Sequence, residues 1–134
     1  MNSQSRRVRG FSLIELLVVM VILGLLASLV GPAMFGKVDS SRVKTAQAQI
    51  QMLGTALDTF RLDTGDYPDK ITELRVSDRR AWDGPYLPKD VPLDPWGNQY
   101  QYQKPGENGQ LYTLKSFGKD GKPGGEDDSA DVTN

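Results

Sequence analysis

A single carboxylate, Glu15, stands near the start of an apolar run that extends from Phe11 to Val30. At about 1.5 Å per residue, a helix of this length crosses a hydrocarbon core of about 30 Å. A charged side chain inside such a span is costly unless it meets a partner of opposite charge, so it indicates a functional group. The chemistry that Glu15 offers is therefore charge pairing with a cation.

A second group of carboxylates lies in the glycine-rich stretch that follows Gly118. Its members are Asp120, Glu126, Asp127, Asp128 and Asp131. They repel one another unless a cation lies between them, and Ca²⁺ binds about six to eight oxygens, including backbone carbonyls. Composition alone favours a solvated acidic tail instead. The spacing also departs from an EF-hand loop, because Lys122 occupies a ligand position.

Composition excludes several classes of function. The 134 residues include neither Cys nor His, which excludes Cys–His nucleophiles, thiolate metal sites and imidazole bases. We therefore expect no enzymatic activity. The formal charge of -1 comes without a basic patch, so nucleic acid is not an expected partner. Beyond the apolar run, the chain is long enough for one small domain, which lacks disulfides and needs another source of stability.

One long helix is predicted from about Leu13 to about Leu62. Pro32 lies inside it and predicts a kink. Beyond Lys37 the apolar residues recur at three- and four-residue steps and form one stripe. The stripe consists of Val43, Ala46, Ile50, Leu53, Leu57 and Phe60. A coiled-coil dimer is one use of such a stripe, but the strand-forming sequence that follows favours packing on a sheet.

A small antiparallel sheet is predicted after the helix, which makes the fold class α+β. The helix ends around Gly65 and Pro68, and one helical turn follows at Ile71–Leu74. The strand candidates are a weak one at Tyr86–Leu87 and a hairpin of Gln99–Gln103 and Gln110–Phe117. The segment Asp94–Asn98 before the hairpin is interpreted as a structural loop anchored by Trp96.

The apolar run is preceded by a short basic leader. Arg6, Arg7 and Arg9 favour a cytoplasmic N-terminus by the positive-inside rule. A secretory signal peptide would need a small-residue cleavage site after the run, and Ala27-Ser28-Leu29 is a poor one. A plain membrane anchor would not need Glu15.

The junction between leader and run resembles the type III signal of type IV pilins and pseudopilins. The matching residues are Gly10, Phe11, Ser12, Leu13, Ile14 and Glu15. The resemblance implies that a membrane peptidase cleaves between Gly10 and Phe11 and methylates Phe11. The new amine would be largely cationic, because an α-amine has a pKa of about 7.7–8. Glu15 of a neighbouring subunit would pair with it, and head-to-tail contacts that do not close would make a filament.

Three further segments narrow this resemblance to the major pseudopilins of type II secretion, the general secretion pathway protein G family. They are Gly84–Leu87, Asp94–Tyr100 and Phe117–Gly121. The chain departs from the family pattern at Tyr67–Leu74. The resemblance implies a type IV pilin-like fold. Its parts are a leader at 1–10, a transmembrane polymerisation helix at 11–36 and a periplasmic domain at 37–134. The domain comprises an amphipathic helix at 37–62, a loop at 63–98, a hairpin at 99–117 and a Ca²⁺ loop and tail at 118–134.

The same resemblance implies a Ca²⁺ site in the acidic loop. The implied ligands are the side chains of Asp120, Asp131 and Asp128 and the backbone carbonyls of Phe117 and Lys122. A length difference leaves the choice among Asp127, Asp128 and Ser129 open.

The implied function is structural. The chain would be the major subunit of a pseudopilus that drives folded proteins across the outer membrane, anchored by a single pass in the bacterial inner membrane. Its implied partners are further copies of itself, minor pseudopilins, the prepilin peptidase and an inner-membrane assembly platform with its cytoplasmic ATPase. The alternative is a type IV or DNA-uptake pilin on the cell surface. Those pilins commonly carry a Cys pair near the C-terminus, which this chain lacks.

Overall fold

The computed structural model describes residues 9–126 and 129–134. They form two compact units, one ending at Lys37 and the other spanning Val38–Asn134. The elements in chain order are helix α1 (Leu13–Thr64), a 3-10 turn (Ile71–Leu74), strand β1 (Gln101–Gln103), a second 3-10 turn (Glu107–Gly109), strand β2 (Thr113–Ser116) and strand β3 (Val132–Thr133).

In the first unit, α1 exposes its apolar side chains on every face. Leu13 is 88% exposed and Leu29 is 77% exposed. Within the described residues, α1 is the one helix that is long and apolar enough to cross a membrane. The helix continues through Pro32.

In the second unit, α1 packs one face on the core, as the stripe predicted. Leu53, Leu57 and Phe60 are completely buried, and Val43 lies at the edge of the core. The helix ends two residues later than predicted, at Thr64. Gly65 follows with φ +91°, a conformation that glycine adopts without strain, and its N–H donates to the carbonyl of Arg61.

The sheet has the order β1-β2-β3, with both pairs antiparallel. Tyr102 lies opposite Leu114, and Ser116 lies opposite Val132. Leu114 and Val132 are buried with the stripe of α1. The α+β fold, the hairpin and the helical turn at Ile71–Leu74 are thus confirmed.

The prediction of a strand at Tyr86–Leu87 is wrong, and the third strand is Val132–Thr133. Prolines on both sides of Tyr86–Leu87 remove N–H donors that a ladder needs. The backbone of this segment bonds elsewhere: Tyr86 N–H donates to the Leu74 carbonyl, and the Leu87 carbonyl accepts from the Arg75 guanidinium. The C-terminal strand was missed because only two residues of it pair.

Candidate functional site

Glu15 takes part in a reciprocal cap at the start of α1. The Ser12 N–H donates to Glu15 Oε2 over 3.3 Å, and the Glu15 N–H donates to Ser12 Oγ over 3.2 Å. This is a capping box, which satisfies two of the N–H groups that the first helical turn leaves free. From the sequence, Ser12 was noted only as part of the pilin-type signal, and its capping role was missed, although a Ser followed three residues later by Glu is the usual sign of such a box.

The surroundings of Glu15 are apolar and open. Phe11 is 91% exposed, and together with Ile14, Val18 and Val19 it lines an apolar surface around Glu15. Within residues 9–126 and 129–134, Glu15 makes no ion pair. A carboxylate that meets only uncharged donors among the described residues can still pair with a cation from another chain.

The acidic C-terminal loop uses two of the predicted carboxylates to order its own backbone. Asp120 Oδ1 accepts from the Lys122 N–H over 3.1 Å, and Asp131 Oδ2 accepts from the Gly124 N–H over 3.1 Å. The other oxygen of Asp131, Oδ1, is buried and has no hydrogen-bond partner among the described residues. A buried acceptor left without a partner is costly, so this oxygen is suited to a cation.

The loop folds back on itself at two glycines. At Gly118, with φ +73°, a Cβ would lie 2.6 Å from the Ala130 carbonyl oxygen. At Gly125, with φ +100°, it would lie 2.2 Å from the Ser129 carbonyl oxygen. Only glycine allows this close approach of two backbone segments.

The structure describes only some of the predicted metal ligands. Asp120 and Asp131 belong to the folded loop, whereas Asp127 and Asp128 lie outside the described residues. Among the residues described, no three carboxylates come close enough to hold a metal ion. The oxygen-only donor set fits a hard cation such as Ca²⁺, as does Asp131 Oδ1, which is buried without a hydrogen-bond partner among the described residues.

The loop Asp94–Asn98 before the hairpin is hydrogen-bonded through Ser116 to the start of the acidic loop, in line with its interpretation as a structural loop. Asp94 is 4% exposed, and its Oδ1 accepts from the N–H groups of Trp96 and Asn98. Its Oδ2 accepts from Ser116 Oγ over 2.6 Å, and Ser116 Oγ accepts in turn from the Gly118 N–H. Asp94 thereby connects the loop to the end of β2.

A charge network that the sequence did not reveal joins the hairpin to the segment after α1. Lys104 Nζ lies 3.1 Å from Asp66 and 3.0 Å from Asp69, and Arg79 lies 2.8 Å from both Asp69 and Glu73. The hydrogen bond from Lys104 lowers the pKa of Asp66 and of Asp69 below the ordinary range of an aspartate. Residues so far apart in the chain show no periodicity by which to find them.

Comparison with known proteins identifies the family. The family model described as type II secretion system protein G matches residues 33–134, and the prokaryotic N-terminal methylation motif matches residues 5–31. The chain is 41% identical to the type II secretion system core protein G of Pseudomonas aeruginosa, over 98% of this chain and 97% of that protein. It is 40% identical to the same protein of Vibrio cholerae, over 96% and 92% of the two chains.

A solved structure agrees with these matches. The fold resembles the crystal structure of the major pseudopilin from the type 2 secretion system of enterohaemorrhagic Escherichia coli. The TM-score is 0.62 and the identity 29%, over 74% of this chain and 87% of that one. The predicted resemblance is confirmed, and this chain belongs to the type II secretion system protein G family.

Proposed function

We propose that this chain is the major structural subunit of the type II secretion pseudopilus. It polymerises from the inner membrane and drives folded proteins across the outer membrane. The observation that carries the proposal is an exposed apolar helix with a single carboxylate, Glu15, joined in one chain to a domain of the protein G family. The relatives matched here are named for secretion, which favours this function over that of a surface pilin.

Assembly begins with processing of the N-terminus. The prepilin peptidase cleaves between Gly10 and Phe11 and methylates Phe11, which leaves a cationic amine at the start of the apolar helix. Glu15 of the neighbouring copy pairs with this amine. Burial of either charge alone costs on the order of several kcal/mol, so the pair is favoured over the unpaired state. Packing of residues 11–35 supplies the cohesion.

The topology follows from the leader. Arg6, Arg7 and Arg9 hold the N-terminus on the cytoplasmic side of the inner membrane, and the C-terminal domain enters the periplasm. The partners are the peptidase, the assembly platform with its cytoplasmic ATPase, and minor pseudopilins. The role is structural rather than catalytic.

The domain also binds Ca²⁺ in its acidic loop. Asp120, Asp131 and Asp128 provide side-chain oxygens, and Phe117 and Lys122 provide carbonyls. Asp131 Oδ1, which is buried and has no hydrogen-bond partner within residues 9–126 and 129–134, supports this assignment. A bound ion would supply positive charge among the carboxylates, and Asp131, which directly precedes β3, would hold it at the end of the loop.

Deletion of the protein in its host tests the function. We expect exoenzymes to accumulate in the periplasm and plasmid-borne wild-type protein to restore their release. Sequencing of the mature protein should begin at Phe11. Loss of surface motility with intact secretion would favour the pilin function instead, and a mature N-terminus other than Phe11 would contradict the assembly mechanism.

A further inference from the structure

The face of α1 that does not contact the core carries an uncharged stripe in the second unit, here called the outer stripe. Its members are all exposed and recur at alternating four- and three-residue steps: Ser41, Thr45, Ala48, Met52, Thr55, Thr59 and Leu62. The hydroxyls of Thr45, Thr55 and Thr59 donate to carbonyls one turn earlier, so they need no partner outside the helix. Spacing of this kind is typical of parallel helices that pack lengthwise.

Two rows of residues flank the outer stripe, and both change from basic to acidic along the helix. One row is Lys37, Lys44, Gln51 and Asp58; the other is Arg42, Gln49, Ala56 and Asp63. A helix dipole favours the opposite order, with acids first and bases last. The helix dipole therefore does not explain the arrangement, although Arg42 lies 3.9 Å from Asp39 of its own helix. Asp58 and Asp63 accept hydrogen bonds from the uncharged hydroxyls of Tyr67 and Tyr86.

The first unit contains glycines that its own packing does not require. A Cβ added to Gly24 or Gly31 would meet no atom within 4 Å, and neither residue has the positive φ that favours glycine. Glycine inside a helix costs about 1 kcal/mol relative to alanine. Gly24, Ala27, Gly31 and Met34 follow the same three- and four-residue steps as the outer stripe. Small residues in this pattern let another helix approach closely.

We propose that the outer stripe of one copy packs in parallel on residues 20–38 of a second copy. The two helices are shifted by three heptads (~21 residues, or ~32 Å along the axis), so that each residue of the outer stripe lies opposite the residue ~21 positions earlier in the second copy. The proposal deepens the polymerisation proposed above and rests on it. All copies enter the membrane in the same direction, which makes their helices parallel. The shift places Lys37 of one copy beside Asp63 of the other, and Arg42 beside Asp58.

Shape complementarity supports the same shift. It places Thr45 opposite Gly24 and Ala48 opposite Ala27. It also places the long side chain of Met52 opposite Gly31. The one large side chain among these pairs therefore meets a glycine, and the small pairs let the two helices approach closely.

Other shifts match less well. Without a shift, Lys37 lies beside Arg42 and Asp58 beside Asp63, so like charges meet. A shift of two heptads pairs only Lys44 with Asp63, and it places Met52 against Val38 instead of a glycine. A shift of four heptads brings none of these opposite charges together.

The absence of native cysteines makes disulfide cross-linking a direct test. Full-length variants with Ala27→Cys and a second cysteine are oxidised in membranes. The second substitution is Ser41→Cys, Ala48→Cys or Thr55→Cys, which report shifts of two, three and four heptads. All four positions are exposed. We expect a ladder of linked oligomers from Ala27→Cys/Ala48→Cys and its loss in each single variant.

Charge exchange provides the second measurement. In the Ala27→Cys/Ala48→Cys background, Lys37→Glu should abolish the ladder, and addition of Asp63→Lys should restore it. Lys44→Glu is the matched control, because Lys44 faces no acid at this shift. If Lys44→Glu abolishes the ladder and Lys37→Glu does not, the three-heptad shift is wrong.

The outcomes separate this inference from the proposed function. Electron microscopy of the unmodified chain shows whether filaments form at all. Filaments together with a ladder from another cysteine pair, or with no ladder, overturn the shift alone. The absence of filaments from wild-type cells that secrete normally overturns the proposed function as well.

Discussion

The two parts of α1 use leucine in opposite ways. Leu13 and Leu29 in the first unit are 88% and 77% exposed, whereas Leu53 and Leu57 in the second are completely buried. The second part finds its apolar partners within the chain, and the first part must find them in lipid or in other copies. Folding thus depends on the second stretch of the helix alone, so substitutions in the first stretch should affect assembly without affecting folding.

The largest effect should come from Glu15→Ala. We expect the variant to enter the membrane normally and its domain to melt as in wild type, but to form no filaments, because the cation of its neighbour has no partner. Membrane fractionation, thermal unfolding in detergent and electron microscopy measure the three properties. Normal filaments would defeat the charge-pairing mechanism.

Glu15→Gln distinguishes charge from capping. Gln can retain the capping box with Ser12 but carries no charge. Charge pairing predicts that Glu15→Gln fails to assemble, as Glu15→Ala does. Assembly of the Gln variant would assign the role of Glu15 to the cap instead.

Substitutions in the buried stripe should have the converse effect and lower the stability of the domain. Leu57→Ala should lower the free energy of unfolding of the domain by about 2–5 kcal/mol, since Leu57 is completely buried. Leu29→Ala is the matched control and should leave this free energy unchanged. Denaturant unfolding of the full chain in detergent measures both. Equal losses of unfolding free energy in the two variants would contradict the conclusion that folding depends on the second stretch of α1 alone.

Removal of Ca²⁺ should have a smaller effect, confined to the second unit. An ion that binds only the folded state at about 100 times its dissociation constant stabilises by about 2.7 kcal/mol. EGTA should therefore lower the melting temperature by several degrees, and excess Ca²⁺ should restore it. Asp131→Asn should melt lower and no longer respond. An unchanged melting curve of the wild type in EGTA would remove the Ca²⁺ proposal.

The sequence predicted the parts of the fold that repeat along the chain. The buried face of α1 follows a helical period over about four turns, and the hairpin strands lie close together around a turn. The strand Val132–Thr133 pairs through two residues with a strand that precedes it by a long loop, so it has too few residues for a pattern. Tyr86–Leu87 has strand-forming residues, but prolines on both sides direct its backbone elsewhere.

The part of the site that could be predicted from the sequence is the part where a residue type carries an energetic cost. A carboxylate in an apolar span is costly wherever it lies, so Glu15 was found without any knowledge of its contacts. The capping role of Ser12 was overlooked because a serine near a membrane boundary is not itself unusual. The hydrogen bond between Ser116 and Asp94 and the ion pairs of Lys104 join segments that are distant in the chain. Composition and spacing therefore could not predict them.

The smallest effect should come from the charge network around Lys104, and it has a definite sign with pH. Lys104 lowers the pKa of Asp66 and Asp69 in the folded state below the unfolded value of about 3.9. Their contribution to stability is therefore complete above about pH 4 and is lost as the pH falls through the lowered pKa values. Lys104→Met should lower the free energy of unfolding of the domain at pH 7, and the difference from wild type should shrink under acid conditions.

The exposed Lys89 offers a control, since Lys89→Met changes the net charge equally. Both aspartates are largely exposed, so added salt should also reduce the difference. A loss for Lys104→Met that is the same at pH 3 and pH 7 would mean that the lysine acts through its methylene chain or its hydrogen bond to the Tyr67 carbonyl rather than through its ion pairs with Asp66 and Asp69.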